Sequence, residues 1–212
     1  MRAALAVVTA VAVTLITGTP ALAAPVTLTS GHVDVLDVDY AAPGTLTLNV
    51  NDGTGTTPVE RNPADVIFQV PAAAKVTVPS GSAWSFLGTA GSTAWVLPQT
   101  NVSGLLWAGW NTEEIPANVL QNNSLTFKLS SVSGPGRVSV YTVSAGTPAK
   151  LFDSSDGLPD TRTVARNAHT HANWGFTQSG TYTVTFEVTA RLASTGATVS
   201  TGAKAFTFTV LP

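Results

Sequence analysis

The chain has 212 residues, no cysteine, 10% charged residues and a net charge of −2, so it offers neither a disulfide framework nor a basic block that could neutralise phosphates. Nucleic acid is therefore not expected as a partner. A hydrophobic content of 44%, spread over a Thr-, Ser-, Gly-, Ala- and Val-rich background, also argues against disorder, which needs low hydrophobicity and high charge.

The first element is a leader. Met1-Arg2 gives a short positive start, Ala3 to Ile16 an apolar stretch, and Ala21-Leu22-Ala23 a small-x-small cleavage site before Ala24-Pro25. Thr14, Thr17, Gly18 and Pro20 interrupt the run before it reaches the roughly 20 apolar residues of a membrane span. Residues 1–23 thus read as a secretory signal peptide, leaving 24–212 as one domain with no integral membrane segment. The expected location is extracellular. Without a cysteine there is no lipobox, and Phe206 to Pro212 completes a strand pattern with no sorting motif, so surface attachment would require a partner.

Beyond the leader, period-2 alternation predicts strands over His32–Val38, Thr45–Val50, Val66–Val70, Ala83–Leu87, Ala94–Leu97, Leu125–Leu129, Arg137–Val143, Ala172–Phe176, Thr181–Ala190 and Lys204–Leu211. Asn51-Asp52-Gly53, Ser80-Gly81, Gly134-Pro135-Gly136, Ser155-Asp156-Gly157 and Ser179-Gly180 mark turns between them. Ala117 to Gln121 reads as a single turn, and Thr147 to Arg166 as the longest loop. In Thr181–Ala190, Tyr182, Val184, Phe186 and Val188 fall on one face and the threonines and Glu187 on the other. Such short, punctuated strands predict an all-β, antiparallel immunoglobulin-like β-sandwich.

All three histidines lie in two short motifs, Gly31-His32-Val33-Asp34 and His169-Thr170-His171-Ala172-Asn173-Trp174-Gly175-Phe176. Residues i and i+2 of a strand share a face about 6.5–7 Å apart, so His169 and His171 can converge on one ion, and His32 and Asp34 stand in the same relation. If the two strands are neighbours, the site gains a third imidazole and a carboxylate. Neutral imidazoles suit zinc or copper(II) rather than calcium or magnesium, and no Cys or mature Met is present for copper(I). The competing reading has His169 and His171 hydrogen-bonded to backbone groups at a strand entry, His32 an isolated surface residue, and Asp37 and Asp39, the neighbours of Asp34, a solvated edge.

Trp107-Ala108-Gly109-Trp110, followed by Glu113 and Glu114, is the second cluster. Trp107, Trp110 and Glu113 could form a platform for a glycan or a partner; equally, large aromatics of a disulfide-free sandwich serve as core. Enzymatic signatures are lacking: there is no Gly-x-Ser-x-Gly elbow and no thiol, and adjacent Glu113 and Glu114 point in opposite directions, unlike a glycosidase pair. No catalytic residue is assigned; the one enzymatic alternative left open is a three-histidine metal hydrolase, which would also need a general base and an open coordination position. The competing functions are extracellular metal binding and a structural or adhesive cell-envelope module.

Five ordered motifs resemble one family. Gly31-His32-Val33-Asp34, Trp95-Val96-Leu97-Pro98-Gln99, Leu106-Trp107-Ala108-Gly109-Trp110-Asn111-Thr112-Glu113, Gly134-Pro135-Gly136-Arg137-Val138 and His169 to Thr177 are similar to the actinobacterial surface-anchored protein domain, or choice-of-anchor M domain. The resemblance spans nearly all of the chain after the leader. It implies a signal peptide, a place at the actinobacterial surface, and an association with ABC transporters of the zinc or manganese type. An anchored family member or the solute-binding protein of such a transporter is the partner class it implies. The family's carboxyl-terminal anchor has no counterpart here, so this chain reads as an anchorless member.

Overall fold

Alternating apolar residues build most of the strands in the computed structural model, which describes residues 24–212; the expected leader lies outside the described residues. In chain order the described strands are β1 (Val26–Leu28), β2 (Gly31–Ala41), β3 (Thr45–Gly53), β4 (Val59–Arg61), β5 (Val66–Val70), β6 (Lys75–Thr77), β7 (Thr93–Leu97), β8 (Leu106–Asn111) and β9 (Ser124–Ser133). They continue with β10 (Val138–Ser144), β11 (Thr147–Asp153), β12 (Asp160–Ala165), β13 (His169–His171), β14 (Asn173–Phe176), β15 (Gly180–Arg191), β16 (Thr198–Ser200) and β17 (Lys204–Val210).

These strands form three sheets, ordered β1-β5-β17-β15-β9-β12 with β16 beside β15, β11-β10-β14-β7-β6, and β13-β8-β2-β3-β4. One core draws on all three: Val33 and Leu48 from the third sheet, Val140 and Trp174 from the second, Phe127, Phe186 and Phe208 from the first. The architecture is the expected all-β, immunoglobulin-like sandwich. In β15 the alternation holds as read, with Tyr182, Val184, Phe186 and Val188 all buried. The Tyr182 hydroxyl donates to the Gln178 carbonyl at 2.8 Å, pinning the chain just before β15 in the manner of a tyrosine corner.

Three differences from the sequence reading have physical causes. Pairing is not antiparallel throughout, because β1 with β5, β5 with β17, and β2 with β8 run parallel; each of these pairs is joined by a connection long enough to return the chain to the same end. Ala83–Leu87 is no strand but part of a 3-10 helix, Ser82–Leu87, closed in between Gly81 at φ 104° and Gly88 at φ 132°, which turn the chain at both ends. The long loop Thr147–Arg166 holds β11 and β12, whose mostly exposed faces carry too few apolar residues to show an alternation. The connection between them, which passes from the second sheet to the first, is held by Asp153, which pairs with Lys150 at 2.8 Å and accepts the Ser155 N–H at 2.9 Å.

Candidate metal centre

The two histidine-bearing strands are not neighbours. β8 runs between them, parallel to β2 with Trp107 opposite His32 and Gly109 opposite Asp34, and antiparallel to β13 with Gly109 opposite His171 and Asn111 opposite His169. Strands two apart lie about 10 Å from each other, so the side chains must meet over the backbone of β8. Gly109 makes this possible: a Cβ there would sit 2.5 Å from the Thr170 carbonyl oxygen and 2.8 Å from His171 Nδ1. On the far side of β2, Gly53 likewise leaves room for the His32 ring, whose Nδ1 would lie 2.6 Å from an added Cβ.

Over this hollow the four residues converge. Nε2 of His32 and Nε2 of His169 are 3.1 Å apart, and Asp34 Oδ1 lies 3.0 Å from His169 Nε2 and 3.8 Å from His32 Nε2. With one atom from His171, the set falls within 4.8 Å. Four ligands at about 2.0–2.1 Å from a tetrahedral zinc stand about 3.4 Å from one another, so little movement separates this arrangement from a coordination shell. Asp34 Oδ1 and His171 Nδ1 are both buried and, apart from His169 Nε2 beside Asp34 Oδ1, meet no hydrogen-bonding partner in good geometry. Such orphans are costly unless something charged or hydrogen-bonding is supplied, and a cation over Gly109 would supply it.

Burial dominates the electrostatics. It pushes the Asp34 carboxyl up from its ordinary value, with the nearby His169 and His32 rings pulling the other way. It also pushes the His171 imidazole down to about 4, helped by His32 and His169 and opposed by backbone hydrogen bonds to Ala108 and Trp107, so this ring is neutral at physiological pH.

A supporting layer holds these groups in place. Asn51 Nδ2 donates to Asp34 Oδ2 at 3.2 Å. Trp107 stacks on His171 with centroids 3.7 Å apart and rings 14° from parallel, and its Nε1 donates to the Gln99 carbonyl at 2.9 Å. Gln99 in turn is locked to Asn173, whose Nδ2 donates to Gln99 Oε1 at 2.8 Å, and to the Val143 N–H at 2.7 Å. Gly109, Gln99 and Asn173 had no part in the expected site, and Asn51 and Gly53, expected in a turn, lie instead in β3, paired with Asp34 and His32. A glycine between two tryptophans in a strand-like run was the one signal that could have flagged the hollow.

The proposed platform does not exist as such. Trp107 and Trp110 are three apart on one strand and so face opposite ways: Trp107 borders the histidines, whereas Trp110 is 4% exposed in the core, edge-on to Phe127. Docking through Trp110 is therefore dropped. Glu113 stands apart from both, exposed beside His169, with Oε2 3.5 Å from His169 Nδ1. Asp34 is fully buried, and its neighbour Asp37 is buried too rather than on a solvated edge, because β2 lies inside its sheet between β8 and β3.

No family model matches the chain, and no curated protein matches it. Among solved structures it is similar to the ASH/PapD-like domain of human CEP192 (PapD-like domain 7), at 10% identity and a TM-score of 0.20, over 42% of this chain and 64% of that one. The match thus spans less than two thirds of that domain.

Proposed function

We propose that this protein binds a divalent transition metal outside the cell, zinc in the first place, through His32, Asp34, His169 and His171. The observation that carries this reading is the convergence of four ligand-type atoms within 4.8 Å from two separated strands, over a glycine that leaves them room. Three imidazoles and one carboxylate suit zinc in tetrahedral geometry; copper(II) is served by the same donors, and manganese less well because it favours oxygen. The resemblance to the choice-of-anchor M domain adds a context, metal uptake or sensing at an actinobacterial surface, with an anchored relative or a transporter's solute-binding protein as partner. Among the described residues no helix is long and apolar enough to cross a membrane.

The test is a titration of chelator-stripped protein with zinc, copper(II) and manganese, followed by calorimetry and by the fluorescence of Trp107 against His171. Stoichiometric zinc binding at micromolar or tighter affinity, abolished by replacing both His169 and His171 with Ala, is the expected result. A protein that takes up no zinc at that concentration, or a double variant that binds as well as the parent, would leave a structural or adhesive envelope module as the better reading.

A further inference from the structure

The geometry points to Glu113 as a positioning residue for this site, holding His169 in the tautomer that leaves its Nε2 lone pair free for the ion. The inference rests on the metal-binding reading above. Nε2 of His169 faces the cluster, 3.0 Å from Asp34 Oδ1 and 3.1 Å from His32 Nε2. Nδ1 faces the opposite way, toward Glu113 Oε2 at 3.5 Å. An imidazole whose Nε2 ligates a metal must carry its proton on Nδ1, and a carboxylate facing that proton fixes both tautomer and ring orientation.

Glu113 is not placed there by a floppy loop. Its backbone N–H donates to Asn111 Oδ1 at 2.9 Å, and Asn111 Nδ2 donates to the buried Asp37 Oδ1 at 3.0 Å. Asn111 is also the residue of β8 that pairs with His169. One buried residue thus ties the turn carrying Glu113 to both strands, its side chain reaching Asp37 on the strand of Asp34 and its backbone pairing with the strand of His169. Ligand-bound His169 would draw its Nδ1–H toward Glu113, shortening the 3.5 Å separation to a charge-assisted hydrogen bond.

The test compares the parent with E113A and E113Q in zinc titrations of the stripped protein, and reads the His169 ring nitrogens by NMR in the zinc-loaded form. E113A is expected to weaken zinc binding roughly 10- to 100-fold and to lose the slowly exchanging Nδ1 proton of His169. E113Q keeps a carbonyl acceptor and is expected to recover part of the affinity and of that signal. Because Glu113 is exposed, the metal-free melting temperature of E113A should equal the parent's; if it does not, the E113Q comparison decides alone. Unchanged zinc affinity and an unchanged His169 signal in the variants would overturn the role of Glu113 while leaving the metal site standing. A parent that binds no zinc would overturn both.

Discussion

On the metal-binding reading, Asp34 is costly to the metal-free protein and is compensated when a cation is present. Its carboxyl is buried and holds one hydrogen bond from Asn51, while Oδ1 has only His169 Nε2, at 3.0 Å, beside it. Replacing it with Asn removes the buried charge and keeps the shape, so the metal-free variant should melt no lower than the parent. Its zinc affinity should fall by more than the roughly 10- to 100-fold that losing an outer-sphere partner costs. Paired melting curves and titrations check both halves; a variant that is destabilised yet binds zinc normally would assign Asp34 a purely structural role.

Titration of single residues also shapes the pH dependence. Burial, then the charge of Asp39, with Asp34 and Glu114 adding to it, pushes Asp37 up to about 7, against the hydrogen bond from Asn111; burial and Glu114 push Asp39 up to about 6. A carboxyl raised in the folded state contributes stability below its unfolded value, and that contribution is lost as pH rises through the folded value. The metal-free protein should therefore lose stability between about pH 4 and pH 7 through these two groups, and D37N should flatten the loss in chemical denaturation at stepped pH. His171 works in the opposite direction: with a folded value near 4, its stabilising effect is lost as pH falls from 6.5 toward 4. In that same window protonation of imidazole competes with zinc, so metal release should accompany acidification.

At the scale of the element, β8 controls the site without supplying a ligand. Its residues alternate between the two faces, Trp107 and Gly109 beneath the histidines and Trp110 in the core. G109A should fail at both levels, since the added methyl would meet the Thr170 backbone at 2.5 Å and force β13 away. A destabilisation of roughly 1–3 kcal/mol is expected, with zinc binding lost even where the variant remains folded by circular dichroism. Normal zinc affinity in folded G109A would show that the hollow is not where the ion sits. The sequence showed the i, i+2 pairs on β2 and β13 because side-chain alternation is a local property. It did not show β8 as a strand, since Leu106–Asn111 is buried at almost every position and lacks alternation. A run covered on both faces loses the period that identifies a strand.

For the whole molecule, a metal held between β2 and β13, far apart in the chain, would be coupled to global stability. A ligand that binds only the folded state adds about 2.7 kcal/mol at a hundredfold excess over Kd. For a domain of this size that raises the melting temperature by roughly 5–11 °C. Chelator should reverse the rise in the parent, and no rise should appear once His169 and His171 are both Ala. A zinc-induced shift that survives in the double variant would place the ion elsewhere.

Chain chemistry alone determined the all-β class, the apolar face of β15, and the ligand-type residues His32, Asp34, His169 and His171, because residue type and period 2 are written locally. Only the tertiary structure decided that these four meet across an intervening strand, that Gly109 and Gly53 provide the space, that Trp107 supports the site while Trp110 belongs to the core, and that two strands run through the supposed loop Thr147–Arg166. Strand order and register depend on pairings between distant segments, and many orders bury the same apolar residues equally well. Which glycine lies under which histidine follows from that order, so it becomes visible only when the sheet is assembled.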